Sequence, residues 1–238
     1  MRSRFMIVIL FAAVLVLGVA ACRSSADQNA KPNEESPPET QPEKKEEPAK
    51  GEPANGGRYR IDAAQSRFTA SIDVGGLFSA FGHPHTVDIR DFNGDVQFTP
   101  DSSQPASLRM TVRAGTLSEV GKDFSEKDRQ GINRAIRDEA LEVAKYPDIV
   151  FKSTNISVTK AGEGRYQAKI SGSLTLHGAT HPVSFPAQVS MKGNVLHASG
   201  GFTILHSAYN MKRLSGGGGT VKAKDPIKLS FEIAANAA

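Results

Sequence analysis

The sequence predicts an all-β protein, a closed antiparallel barrel carrying one amphipathic helix, and three observations predict it. Apolar and polar residues alternate with period two in run after run. Turn residues separate these runs, and a single segment switches to a period of three to four. Phe68, Ala70, Ile72 and Val74 alternate with Thr69, Ser71 and Asp73. The same rhythm recurs in Leu108-Met110-Val112, Ile170-Gly172-Leu174-Leu176, Val183-Phe185-Ala187-Val189-Met191 and Ile227-Leu229-Phe231-Ile233. In a strand this puts one face in the core and the other in water.

Asn93-Gly94, Gly162-Glu163-Gly164, His177-Gly178-Ala179-Thr180 and Gly193-Asn194 carry turn chemistry between such runs. Asn-Gly between short apolar runs is a strong hairpin signal, and hairpins in series imply antiparallel pairing. Ser125 to Ala144 places Ile132, Ala135, Ile136, Ala140 and Val143 on one helical face. Ser125 can cap the first turn with Asp128 three residues on. Tyr146-Pro147 sets the end, because a residue before proline avoids the helical region. About eight amphipathic strands leave no exposed edge if they close into a barrel, whose interior is either filled by side chains or holds one small ligand.

The chain before these strands is of another kind. Arg2 and Arg4 precede an apolar run from about Phe5 to Val19, and Val19-Ala20-Ala21-Cys22 closes it. The run is short of the ~20 apolar residues a spanning helix needs, and it has the three parts of a secretory signal peptide. Residues 19–22 resemble the lipobox of bacterial lipoproteins, which implies cleavage before Cys22 and acyl chains on that residue. Residues 1–21 are then a signal, and residues 22–57 a lipidated cysteine with a tether. Residues 23–57 hold no large apolar side chain and are rich in proline, glutamate and lysine, the composition of a chain unable to bury a core. The expected location is the cell envelope on its periplasmic side. Arg23 lacks the aspartate that signals inner-membrane retention in enteric bacteria, which favours the outer membrane.

Cys22 is the only cysteine, so residues 58–238 have no disulfide, cysteine nucleophile or thiolate metal site. That stretch carries 22 basic and 17 acidic residues, a net of +5 without the clustered basic stripe and stacking aromatics of a nucleic-acid binder. No Gly-x-Ser-x-Gly elbow occurs, and no carboxylate pair stands out. Gly216–Gly219 lacks the Lys-Ser/Thr of a phosphate loop and reads as a flexible loop, with Asp225-Pro226 as a strand-entry turn. No catalytic residue and no cofactor are expected. The inward-facing positions mix small residues (Ala70, Gly172, Ala187, Ala198) with large ones (Phe68, Phe151, Phe185, Phe202, Phe231), and tryptophan is absent. A dry core and a lumen open to an elongated apolar ligand both fit this pattern.

Tyr59-Arg60-Ile61-Asp62, Phe92-Asn93-Gly94, Lys145-Tyr146-Pro147-Asp148-Ile149-Val150-Phe151 and Leu174-Thr175-Leu176-His177-Gly178-Ala179-Thr180 together resemble the YceI-like family, in an order that runs from Arg58 to the C-terminus. The resemblance implies a lipocalin-like barrel that holds a long isoprenoid or similar amphiphilic lipid, without established catalysis. Its implied ligand is an apolar or quinone-like lipid, with the membrane reached through Cys22. The lumen would be lined by Phe68, Ala70, Ile72, Phe78, Phe81, Met110, Phe151, Leu174, Phe185, Ala187, Phe202 and Phe231. Gln65 stands where many members have histidine, and Lys127-Asp128-Arg129-Gln130-Gly131-Ile132 departs from the family's helix start, which marks a divergent branch.

This chain's own feature is Phe78-Ser79-Ala80-Phe81-Gly82-His83-Pro84-His85. Histidines at i and i+2 on an extended backbone share a face and are half of a metal site, since zinc takes three or four protein ligands. Hydrogen bonding to a turn or to a ligand headgroup is the other role open to His83 and His85. The alternatives to a lipid carrier are a histidine-dependent metal or haem-related protein and a filled barrel that binds other proteins. His177 is expected to stabilise its hairpin.

Overall fold

The computed structural model describes residues 57–238, so the signal, Cys22 and almost all of the tether lie outside the described residues. In chain order the elements are β1 (Arg58–Ile61), β2 (Arg67–Gly75), β3 (His85–Ile89), β4 (Phe92–Gln97), β5 (Ser107–Arg113) and β6 (Ser118–Glu119). There follow α1 (Glu126–Ala135), β7 (Asp148–Gly162), β8 (Arg165–Leu176), β9 (Ala179–Lys192), β10 (Val195–Leu205), β11 (Ser215–Gly216) and β12 (Val221–Ala237). Every strand pairing among the described residues is antiparallel, and the ring β1-β4-β5-β7-β8-β9-β10-β12 closes on itself because β12 pairs with both β10 and β1.

Three of the eight staves are interrupted. β1 and β2 lie along β12 one after the other, and β3 and β6 continue the staves begun by β4 and β5. The break between β1 and β2 has a local cause. Asp62 Oδ1 accepts from the backbone N–H of Ala64 at 3.0 Å and of Gln65 at 3.3 Å, which caps a tight turn over residues 63–65. Ser66 Oγ then accepts from Ala234 N at 3.0 Å, so the strand opposite keeps a partner where the ladder is broken. Gln65, the departure from the family pattern, donates to Asp62 Oδ2 at 2.7 Å.

The two ends of the barrel differ. At one end Ile136, Ala140 and Leu141 are buried where the helical segment packs against the strands, and Asn133 Oδ1 accepts from Glu119 N at 2.7 Å. At the other, the lining of the lumen continues to Val158, which is 37% exposed. Among the described residues no helix is long and apolar enough to cross a membrane.

Four expectations change in detail. Asn93-Gly94 is no hairpin but the interior of β4, where a Cβ at position 94 would lie 2.6 Å from Arg109 O and 2.8 Å from Ile61 Cδ1. The glycine is there because another strand comes close. The helix begins at the Ser125 cap as the spacing predicts, with Ser125 Oγ accepting from Asp128 N at 3.2 Å, but it widens into a π-turn over Ile136–Ala140. Asp225-Pro226 lies inside β12 at a register shift, where Asp225 accepts from Ser207 N and Oγ. The Gly216–Gly219 run forms the end of β11 and a tight turn. The His177-Gly178 turn is as expected, with φ of +49° and +75°, positive at both residues as a tight hairpin requires.

Candidate ligand-binding lumen

Alternation sends Phe68, Met110, Phe151, Leu174, Phe185, Phe202 and Phe231 inward, where they line one cavity of about 170 Å³. Every side chain in its lining except Gln97 is apolar. The aromatic rings form a belt across the barrel. Phe185 stacks on Phe202 at 4.4 Å between centroids and lies 5.7 Å from Phe151 and 5.8 Å from Phe231, and Phe68 meets Phe231 edge-on at 6.4 Å. Two glycines give these rings room: a Cβ at Gly172 would come within 2.5 Å of Phe151, and one at Gly200 within 2.8 Å of Phe231.

The volume decides what the cavity can take as it stands. An apolar void of about 150 Å³ holds one benzene, whereas pockets for drug-sized ligands run to roughly 300–1,000 Å³. The lumen therefore accommodates the end of an apolar chain, and a longer one must displace side chains. Met110, unbranched and partly buried, is the easiest to move.

Ala70, Ile72 and Ala187 belong to the same core without lining the cavity. Phe78 sits on the β2–β3 connection, 48% exposed and outside the lining, because a tight turn over residues 79–81 carries that stretch off the barrel wall. The Phe81 side chain lies outside the described residues. The alternating sequence also marks Leu108, Val112, Ile170, Leu229 and Ile233, which line the cavity as well.

The histidines go elsewhere. His85 Nδ1 lies 2.8 Å from Glu119 Oε2, and its ring stacks flat on Phe124 at 5.0 Å. His83 meets the same Phe124 edge-on at 6.0 Å. Glu119 Oε1 accepts from Gly121 N at 2.6 Å and Thr86 N at 3.1 Å. Burial pushes the Glu119 carboxyl up, but the bonds from His85, Gly121 and Thr86 outweigh it and hold it below the usual range. The cluster ties β3 to β6 and, through Asn133, to α1. Glu119 and Phe124 were not visible as site residues in the sequence, since the contacts that mark them come from His85, distant in the chain. No group of three or more His, Cys, Asp or Glu is placed to hold a metal among the described residues.

His177 Nδ1 donates to Tyr209 O at 3.0 Å, and Nε2 lies 2.5 Å from Glu142 Oε2. Both ring nitrogens face acceptors. Its hairpin is thereby fixed to the segment after the helix and to the turn over residues 207–209.

The comparisons with known proteins agree with this architecture. A YceI-like domain model matches residues 59–235. A UPF0312 protein of Pseudomonas putida (strain W619) is 31% identical over 135 residues, covering 57% of this chain and 63% of the relative. A UPF0312 protein of Yersinia pestis (strain Pestoides F) is 34% identical over 104 residues, covering 44% of this chain and 48% of the relative. The chain thus spans less than two thirds of the length of these relatives.

Two solved structures share the fold. Burkholderia cenocepacia BcnA has a TM-score of 0.56 at 21% identity, over 73% of this chain and 98% of its own. A polyisoprenoid binding domain from Saccharophagus degradans has a TM-score of 0.53 at 12% identity, over 76% of this chain and 98% of its own. With the family model matched from the first strand to the last, the chain belongs to the YceI-like family.

Proposed function

We propose that this protein binds an isoprenoid-type or similar amphiphilic lipid in its barrel and stores or transfers it at the cell envelope, where an acyl anchor on Cys22 holds it. The observation that carries this reading is the lumen, one apolar cavity whose lining has a single polar side chain. The Saccharophagus degradans domain of the same fold, which binds polyisoprenoid, supports it. Affinity comes from apolar burial at roughly 25 cal/mol per Å², less the cost of ordering the tail. No polar constellation inside the barrel selects one head strongly, so tail recognition is broad.

A coil of 35 residues has a root-mean-square reach of roughly 30 Å, which would let a domain joined through residues 23–57 to an anchor on Cys22 sample the bilayer beside it. Replacing Cys22 by serine should remove acylation and move the protein from the membrane fraction to the soluble one.

Extraction of the purified full chain into organic solvent, followed by mass spectrometry, tests the lumen. The native protein should release an isoprenoid-type lipid. Met110→Arg and Phe185→Asp each place a charge in the cavity and should abolish its recovery while export continues. Unchanged lipid in a variant whose circular dichroism is native contradicts the lumen as the binding site.

A further inference from the structure

The barrel wall is not hydrogen-bonded over its whole height. β9 and β10 pair from Lys192↔Val195 to Ala187↔Gly200, and there the ladder stops. Beyond it, residues 179–186 of β9 pair only with β8, and residues 201–205 of β10 only with β12. The sequence explains the gap. Met191 N bonds to Gly164 O on the β8 side, so even-numbered β9 residues turn their backbone groups toward β10, and two of these, Pro182 and Pro186, have no N–H to give. The strands are still close where the ladder ends, since a Cβ at Gly200 would lie 2.6 Å from Pro186 O. From there on the wall is a seam closed by side chains.

Among the described residues, two ring contacts bridge this seam. Phe185 of β9 and Phe202 of β10 stack at 4.4 Å between centroids and 11° between planes, and both rings line the lumen. Toward the end closed by the helical segment, the Tyr209 ring on the turn after β10 meets His181 of β9 edge-on at 5.1 Å. The cavity of about 170 Å³ takes only the end of an apolar chain, so a longer tail needs room. Two strands joined by a ladder resist parting, because each step breaks directional bonds whose backbone groups must find new partners. Along the seam β9 and β10 can part without that loss, and the rings that separate are ones a tail in the lumen would touch.

We infer that the seam between β9 and β10 is the part of the wall that moves: β9 parts from β10 along residues 179–186 to let an apolar tail into the lumen, and stays parted while the tail is held. This rests on the lipid-binding reading and adds to it the place where the barrel yields. The Phe185–Phe202 stack is the gate. When it opens, the two rings exchange contact with each other for contact with the tail, so their apolar surface stays out of water. The paired half of β9 and β10, from Ala187↔Gly200 to Lys192↔Val195, keeps its ladder and acts as the hinge end.

Pairs of spin labels on the full chain test the movement, with farnesol as the probe. Ser184→Cys with Thr203→Cys spans the seam, one step outward from the Phe185–Phe202 stack on each strand. Gln188→Cys with Ser199→Cys spans the ladder, where these two residues are paired. All four positions are exposed and none lines the lumen, and Cys22 is common to both variants. Continuous-wave electron paramagnetic resonance of frozen samples should show dipolar broadening in both pairs without farnesol. With farnesol the seam pair should lose most of its broadening and the ladder pair none. Bound farnesol, recovered by extraction and mass spectrometry, with the seam pair unchanged overturns the moving seam while the lumen stands. So does an equal loss in both pairs, or a seam pair that shows no broadening before farnesol is added. Failure of farnesol to bind either variant and wild type overturns the lumen reading and this one with it.

Discussion

Glu119 has no exposed side-chain surface, and three donors hold its charge. Its carboxyl is lowered in the fold, so the stability it contributes is present above the carboxylate range of the unfolded chain and is lost as pH falls through that range. Glu119→Gln leaves two backbone donors and His85 competing for one oxygen. It should cost about 1–3 kcal/mol in denaturant unfolding at neutral pH, and the acid-range slope should flatten. A variant as stable as wild type at pH 7 would show that the cluster does not tie β3 to α1. His206 works with the opposite charge. Burial holds its imidazole below the usual histidine range, and its Nδ1 donates to Asp225 O at 2.9 Å. The neutral ring is the native form. Its contribution is complete above the unfolded histidine pKa of about 6.5 and declines as pH drops through that value toward the lowered one. Unfolding titrations of His206→Gln between pH 7 and 5 should show a shallower loss than wild type.

Gly94 shows what sequence can and cannot tell at the scale of elements. Asn-Gly reads as a turn because glycine tolerates positive φ, yet glycine is also the residue that lets two chains touch, and only the fold distinguishes the two. Gly94→Ala drives a methyl group into Arg109 O and Ile61, and should cost about 1–3 kcal/mol in thermal or denaturant unfolding. A neutral result would mean the strand has slack. The long strands were legible because one face of each is buried, so Met110, Leu174 and Phe231 announce themselves by period. The break at Asp62, the π-turn after Ala135 and the gap beside β9 were not, since each depends on a partner distant in sequence. The helix start was legible from Ser125 and Asp128. Ser125→Ala should cost about 1 kcal/mol.

The whole molecule divides the work between its ends. One end is closed by the helical segment and by the hydrogen bonds of His85, Glu119 and His177. At the other the lining reaches a partly exposed Val158, on the side where β1 begins at Arg58. The inward stripe of phenylalanines was legible in the sequence, where a filled core and an open lumen fitted it equally. The volume of the cavity was not, because the stacking of Phe185 on Phe202 and the ring space beside Gly172 and Gly200 are set by strands that meet only in the fold. A mostly filled lumen with one movable methionine makes ligand entry a matter of side-chain rearrangement. Met110→Ala should therefore enlarge the cavity, raise retention of long tails in lipid extracts, and cost about 2–5 kcal/mol of stability in the empty protein. Unchanged retention would place the tail elsewhere.

The most direct measurement is mass spectrometry of the full chain, purified from a bacterial envelope without denaturation and then extracted into organic solvent. The account predicts one apolar, isoprenoid-type lipid per chain, absent from Met110→Arg. A folded native protein that carries no lipid and takes up none from added prenol vesicles would contradict it.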